Sequence, residues 1–328
     1  MIMNKIFLKD LNEKFVDKSY IFMLGLGFDQ RCLTIINNFD IEKLVDVVGV
    51  SNVIWNDANK SNIDAFKAIV SGNGKVLGEN ASDIIEIVDP VSEYVLGFVV
   101  NNDHQILIDI TSFSHELLVL LIGIFNSFGI IKRVTLLYVG ASVYGFNAQD
   151  GIPWLSRGVR EIRSVLGFPG VMFPSKKLHL IVMAGFEVER AIEVIAQYEP
   201  SSLSIGTGHV KQSVSSDHFK MNEFFVDKIK KYIIDQDNYD YAIQHFEFSC
   251  VDPHKTKEQL YAHVATLKET SDKNIVICPL NTKISTVGAA LLALEYPEIQ
   301  ICYAEPEEYN VDGYASPGYE VKIVPLVY

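Results

Sequence analysis

Hydroxyls, carboxylates and one imidazole crowd the stretch Asp109, Thr111, Ser112, His115 and Glu116, just ahead of a continuous apolar run. Thr111 and Ser112, together with the first amides of a following helix, could hold an anion. His115 could bind that anion or move a proton, with Asp109 or Glu116 orienting the ring. A helix start accounts for the same residues without a ligand, because Ser or Thr at the cap and Glu near the third position satisfy orphan amides. Both readings stand at this point.

Three further turns have related chemistry. Gly25 and Gly27 would let backbone approach a phosphate, and Arg31 offers it a planar fork; the alternative is a tight turn in which Asp29 caps a helix and pairs with Arg31. Gln30 stands where a dinucleotide fingerprint has its third glycine, and no acidic residue clearly ends the next strand, so nicotinamide-dinucleotide binding is not expected. Gly185, Glu187 and Arg190 repeat the pattern, the carboxylate suiting a helix N-terminus and Arg190 free to pair with it or with a ligand. Asn281, Thr282 and Lys283 join an amide, a hydroxyl and a point charge suited to phosphate.

Each turn follows a short Val- and Ile-rich run and precedes a helical pattern, which is how parallel strands joined by crossovers read. In such open sheets ligands bind beyond the carboxyl ends of the strands. The chain also matches itself in order. Residues 20–31 resemble 178–190, the strand and turn at 106–112 resemble 275–283, and the helix-then-strand stretches that follow each of the latter correspond. The expected fold is α/β with two tandem Rossmann-like halves, each a parallel, doubly wound sheet, related by internal duplication; the alternative is one long sheet. Residues 1–150 form the first half, 151–177 a connector, and 178–328 the second half with a tyrosine-rich, loop-like tail. Gly151, Pro153, Gly167, Pro169 and Gly170 punctuate the connector, which places Arg157, Arg160 and Arg163 on a predicted short helix. Tyr309, Tyr314 and Tyr319 of the tail could stack on bases.

Composition removes several classes. With 328 residues, 48% of them hydrophobic, the chain has enough apolar side chains for a sizeable core. Its net charge of -13 opposes bulk binding to duplex nucleic acid. Cys32, Cys250, Cys278 and Cys302 form no CxxC pair, and His245, His254 and His263 do not share one helical face, so neither metal nor cofactor is expected. The apolar stretch 117–131 is interrupted by Asn126, Ser127 and Gly129 and falls short of a membrane span. The first residues lack the apolar core of a secretory signal, and a cytoplasmic location follows as an expectation.

The pattern Asp109-x-Thr111-x-x-x-His115 resembles the acidic-or-Asn, x, Ser/Thr, three residues, Arg/Lys signature of CRISPR-associated Rossmann-fold (CARF) domains, with His115 in place of the long cation. Two unequal copies in one chain are also similar to the tandem arrangement of SAVED domains in cyclic-nucleotide-triggered bacterial defence. The resemblance implies Asp109, Thr111 and His115 as ligand residues in the first copy and Asn281, Thr282 and Lys283 in the second, around a cyclic oligoadenylate. The expected function is a nucleotide or cyclic-oligonucleotide sensor or regulator of antiviral defence, with its ligand between the halves and an effector protein or a second copy as partner. Two alternatives stay open. One is a metal-independent hydrolase or transferase using His115, such as a phosphodiesterase, a ring-nuclease-like enzyme or a nucleoside-processing enzyme. The other is an interaction subunit of a larger complex.

Overall fold

The computed structural model describes residues 4–16, 20–52, 57–72, 74–145, 154–235, 243–270, 272–311 and 314–326. The chain divides into two compact units, Met1–Gly145 with Val311–Tyr328, and Phe146–Asn310.

The first unit opens with β1 (Asn4–Phe7) and α1 (Leu11–Lys14). It continues through β2 (Tyr20–Leu26), β3 (Leu44–Ser51), α2 (Asp57–Val70), β4 (Gly74–Leu77), α3 (Ile85–Tyr94), β5 (Gln105–Asp109), α4 (His115–Ser127) and β6 (Val134–Tyr144). Strands β4-β3-β2-β5-β6 lie side by side in that order, all parallel. β2 is central and buried from Ile21 to Leu26, as an uninterrupted apolar run between two covered faces must be. Phe22, Leu24 and Leu26 pack with Val47, Phe66, Leu107 and Leu137 in the core. The helical pattern expected after Arg31 is absent. Short 3₁₀ turns replace it, because the β-branched run Thr34-Ile35-Ile36 and the pair Asn37-Asn38 are poor helix formers.

The second unit contains β7 (Ser156–Arg157), β8 (Glu161–Pro169), β9 (Lys177–Met183), α5 (Val188–Tyr198), β10 (Ser202–Gly208), α6 (Ser216–Asp235), β11 (Ile243–Phe248), α7 (Pro253–Thr270), β12 (Lys273–Pro279), α8 (Lys283–Glu295), β13 (Gln300–Glu305) and β14 (Glu308–Tyr309). Its parallel strands run β11-β10-β9-β12-β13, the same order as in the first unit. The protein is therefore α/β with two Rossmann-like halves, and the alternative of one long sheet is excluded. β8 lies antiparallel outside β13.

Two expectations about the organisation change. The arginine-bearing connector is strand, not helix: Arg163 sits opposite Tyr303 on β13, with its guanidinium 5.7 Å from that ring and an ion pair to Glu305. Such cross-strand pairs, with the β-branched Ile162 and Val165, outweigh a weak helical pattern. The tail is also strand. β15 (Ala315–Pro325) leaves the second unit and pairs antiparallel with β6 and with β1, completing a seven-stranded sheet in the first. Pro317 and Gly318 hide its alternating pattern because they lie where the register with β6 shifts. β15 and β8 thus hold the same place beyond the last parallel strand, yet β8 precedes its parallel strands and β15 follows them. The boundary residues Gly151 and Pro153 lie outside the described residues. No helix among the described residues is long and apolar enough to cross a membrane.

Candidate functional site

At the carboxyl end of β2, Asp29 caps the 3₁₀ turn by accepting from the Arg31 amide at 2.9 Å, and both its oxygens receive the Arg31 guanidinium, Nη2 to Oδ2 at 2.6 Å. Burial alone would lower the Arg31 pKa, but Asp29 raises it well above the ordinary value and the charge stays. Nη1 of Arg31 is enclosed without a hydrogen-bond partner among the described residues, and its guanidinium lies 6.0 Å from the Tyr144 ring. Of the two sequence readings, Arg31 follows the one that pairs it with Asp29.

At the end of β5, Asp109 is almost fully buried. Its Oδ1 accepts from the Thr111 amide at 2.9 Å, while Oδ2 is enclosed with no partner among the described residues. Burial pushes its pKa up to about 7, with Thr111 and Arg31 opposing and Asp29 adding to the rise. The Thr111 hydroxyl accepts from the Val139 amide at 3.0 Å and thereby ties this turn to β6. Ser114, not Thr111 or Ser112, caps α4, accepting from the Leu117 amide at 3.1 Å. His115 and Glu116 are the first two helical residues, His115 half-buried and Glu116 buried. Glu116 is thus one place short of the third helical position that a capping box needs.

Ser112 does not cap the helix. Its Oγ is enclosed without a partner among the described residues and lies 3.0 Å from where a Cβ on Gly27 would sit. The same Cβ would stand 2.6 Å from Nδ2 of Asn52, so a side chain at Gly27 would push on both groups. Gly25 is similarly closed in by Phe113, at 2.8 Å.

Asn52 and Asn62 escaped the sequence reading. Asn52, just past β3, donates to the Ser112 carbonyl at 2.8 Å and accepts from the Ser114 amide at 3.2 Å, holding the α4 entry turn on both sides of Phe113. Asn62 of α2 donates to the Gly27 carbonyl at 2.7 Å. The only local signal was an Asn directly after a strand. Beside this turn, the half-buried Phe28 meets Tyr314 edge-to-face at 5.1 Å.

The second unit uses the corresponding residues on itself. Arg190 bonds Glu187 at 2.5 Å and the Ala304 carbonyl at 2.5 Å, and Ser156 donates to the other Glu187 oxygen. Asn281 donates to the Ala184 carbonyl at 2.6 Å, joined there by Asn222 at 2.8 Å. Thr282 caps α8 at the Ser285 amide and donates to the Cys250 carbonyl. Lys283 is the first residue of α8. A Cβ on Gly185 would fall 1.8 Å from the Leu280 carbonyl oxygen, so these strand ends touch. Phe186 is buried against His218 and Phe225.

Across the other half of the second sheet runs a hydrogen-bonded chain. Lys273 donates to Ser202 at 2.9 Å, Ser202 meets His179 at 2.7 Å, His179 meets Ser204 at 2.8 Å, and Ser204 meets His263 of α7 at 2.7 Å. Burial, then Lys273 and His263, brings the His179 pKa down to about 3; burial, then His245, brings His263 down to about 4. Both rings are neutral links. Among the described residues no group of three His, Cys, Asp or Glu side chains could hold a metal ion.

Fold and turns together define a tandem Rossmann-like protein whose strand-end turns are polar in both units. No family model and no curated protein matches the chain. Among solved structures it is distantly similar to a type III CRISPR defence DNA nuclease activated by cyclic oligoadenylate, with a TM-score of 0.43 and 8% identity. The likeness covers 84% of this chain and 63% of that one, so the chain spans less than two thirds of that protein's length.

Proposed function

We propose that this chain binds a nucleotide-type ligand, of the cyclic-oligonucleotide class, at the strand ends of its first unit, and that it serves as a sensor or regulator in bacterial defence. One observation carries the reading: the Ser112 hydroxyl, enclosed and without a partner among the described residues, stands between Gly27 and the entry to α4. A buried hydroxyl at a helix N-terminus costs stability unless something bonds it, and the positive end of a 13-residue helix favours a phosphate there. Gly27 keeps that ground clear of a side chain, and Asn52 holds the turn in place. Asp109, Thr111 and His115 belong to the same turn. The repeated strand order supports an origin by internal duplication, after which the strand ends of the second unit closed on themselves.

Calorimetric titration with cyclic and linear oligoadenylates and with mononucleotides tests the proposal. At least one binds, and Ser112→Ala weakens it about tenfold, the worth of a hydrogen bond to a charged group. Absence of binding by the whole panel at millimolar concentration removes the reading.

A catalytic reading has an observation of its own. Asp109 is a buried carboxyl that titrates near pH 7, at the turn that carries His115. In that case His115→Ala retains binding and loses cleavage of a phosphodiester, followed by chromatography of the products; binding without turnover in the unaltered protein leaves a sensor.

A further inference from the structure

At the amino ends of its strands, away from Gly185 and Asn281, the second unit has a cavity of about 200 Å³. Lys176, Lys268, Lys273 and Glu298 line it together with Val171 and Phe173. Two of the three lysines are neutralised at close range: Lys176 pairs with Asp272 at 2.8 Å and Lys268 with Glu298 at 2.7 Å. Lys273, the first residue of β12, is half-buried and has no carboxylate partner among the described residues. Its ammonium donates to Ser202 at 2.9 Å. An ammonium only donates, so the Ser202 hydroxyl gives its own hydrogen to Nδ1 of His179, 2.7 Å away. The neutral ring thus anchors the cation to the sheet without cancelling its charge. The apolar wall is fixed as well. Asn274 is buried; it accepts from the Phe173 amide at 2.9 Å and donates to the Phe173 and Lys176 carbonyls at 2.9 and 3.2 Å. Val171 and Phe173 nonetheless stay 46% and 45% exposed.

We propose that this cavity binds a small organic carboxylate, with Lys273 as its charge partner and Val171 and Phe173 against its apolar body. The site lies in the second unit and does not depend on the first unit binding a nucleotide. Charge sets the class. A half-buried cation calls for an anion, and three lysines against Asp272 and Glu298 leave one positive charge, which a carboxylate matches. A phosphate monoester, with a charge of about -1.5 to -2 at pH 7, would be repelled by both carboxylates. Glu298 keeps its charge there: burial would raise its pKa, yet the hydrogen bond and charge of Lys268 and the charge of Lys176 hold it below the usual carboxylate range. Size sets the rest. A cavity of about 150 Å³ accepts benzene, so this one has room for a ring and its carboxylate. Because the Asn274 hydrogen bonds already hold the wall, little ordering cost remains for the ligand to meet.

The test titrates benzoate, its neutral isostere benzamide, acetate and inorganic phosphate into the full chain, followed by calorimetry and by amide chemical shifts. Benzoate binds and moves the amides of Phe173, Lys273 and Asn274. Benzamide, which lacks the charge, and acetate, which lacks the apolar body, each bind about tenfold more weakly or worse, and phosphate binds more weakly than benzoate. Lys273→Met weakens benzoate about tenfold and leaves benzamide unchanged, whereas Lys273→Arg retains a cation and most of the affinity. Phe173→Ala lowers the preference for benzoate over acetate, and it remains informative if Lys273→Met fails to fold. Lys211→Met, at an exposed lysine elsewhere in the second unit, is the control and changes nothing. No binding of benzoate at millimolar concentration, equal binding of benzoate and benzamide, or benzoate affinity that survives Lys273→Met overturns the proposal. Phosphate bound more tightly than benzoate overturns the carboxylate assignment. None of these outcomes bears on nucleotide binding by the first unit.

Discussion

The Asp29 carboxylate and the Arg31 guanidinium lie 2.6 Å apart with side chains only 7% and 5% exposed. Two residues of one turn thus neutralise each other inside the first unit, and Glu187 with Arg190 does the same in the second. A buried pair of this kind adds little over an apolar pair of equal volume, but breaking it is costly because one charge is left unmatched.

Asp29→Ala therefore lowers unfolding stability by about 3–5 kcal/mol, whereas the double variant Asp29→Leu/Arg31→Met recovers most of the loss. Lys67→Ala, which breaks the exposed pair with Glu79, costs less than about 1 kcal/mol. Urea unfolding of the variants measures all three. An Asp29→Ala cost no larger than that of Lys67→Ala would show that the buried pair has found another way to be solvated.

Gly185→Ala places a methyl group on the Leu280 carbonyl oxygen, and backbone there must move to admit it. That variant is expected to lose about 3 kcal/mol or more, or to fail to accumulate in soluble form. Gly97→Ala meets nothing within 4 Å and gains up to about 1 kcal/mol from a stiffer unfolded chain. Thermal melts compare the two.

The units respond to pH with opposite sign. Asp109 is raised from 3.8 to about 7, so its contribution is full below pH 3.8 and is lost as pH climbs through 7. His179 is lowered from 6.5 to about 3, so its contribution is full above pH 6.5 and is lost as pH falls toward 3. Each effect reaches about 4–5 kcal/mol at most. Hydrogen exchange, corrected for intrinsic rates, is expected to show the first unit better protected at pH 5 than at pH 8, and the second the reverse. Asp109→Asn, which cannot ionise, flattens the first unit's profile and leaves the second's unchanged.

The two helix caps differ in worth. Ser114→Ala removes one bond at the start of α4 and costs about 1 kcal/mol. Thr282→Val removes the corresponding cap of α8 and also the bond to the buried Cys250 carbonyl, so its cost is larger by about 1–3 kcal/mol. Chemical denaturation of the two single variants orders them, and a reversed order contradicts the hydrogen bonds assigned to Thr282.

Several features of the site were legible because they are local. The glycine turns, the pairing of Asp29 with Arg31 and the placement of Asp109, Thr111 and Ser112 beyond a strand all depend on residues within one turn. A hydroxyl cap at the start of α4 was legible too, but not which of Thr111, Ser112 and Ser114 supplies it, since all three offer the same group. Asn52 and Asn62 were not legible. Their side chains act on turns far along the chain, and an isolated asparagine looks the same whether it grips a carbonyl or faces water.

By itself the sequence determined the α/β class, several of the buried parallel strands with their recurrence along the chain, and four of the strand-end turns, because burial on two faces demands continuous apolar runs and the turns after them demand glycine and polar caps. Only the tertiary structure decided that β15 returns to the first sheet, that Asp109 is buried deeply enough to titrate near pH 7, and that Phe28 meets Tyr314 at a rim while Phe186 enters a core. Strand pairing, desolvation and ring contacts are set by what else lies within a few ångströms, and neighbours distant in the chain leave no mark on the local pattern.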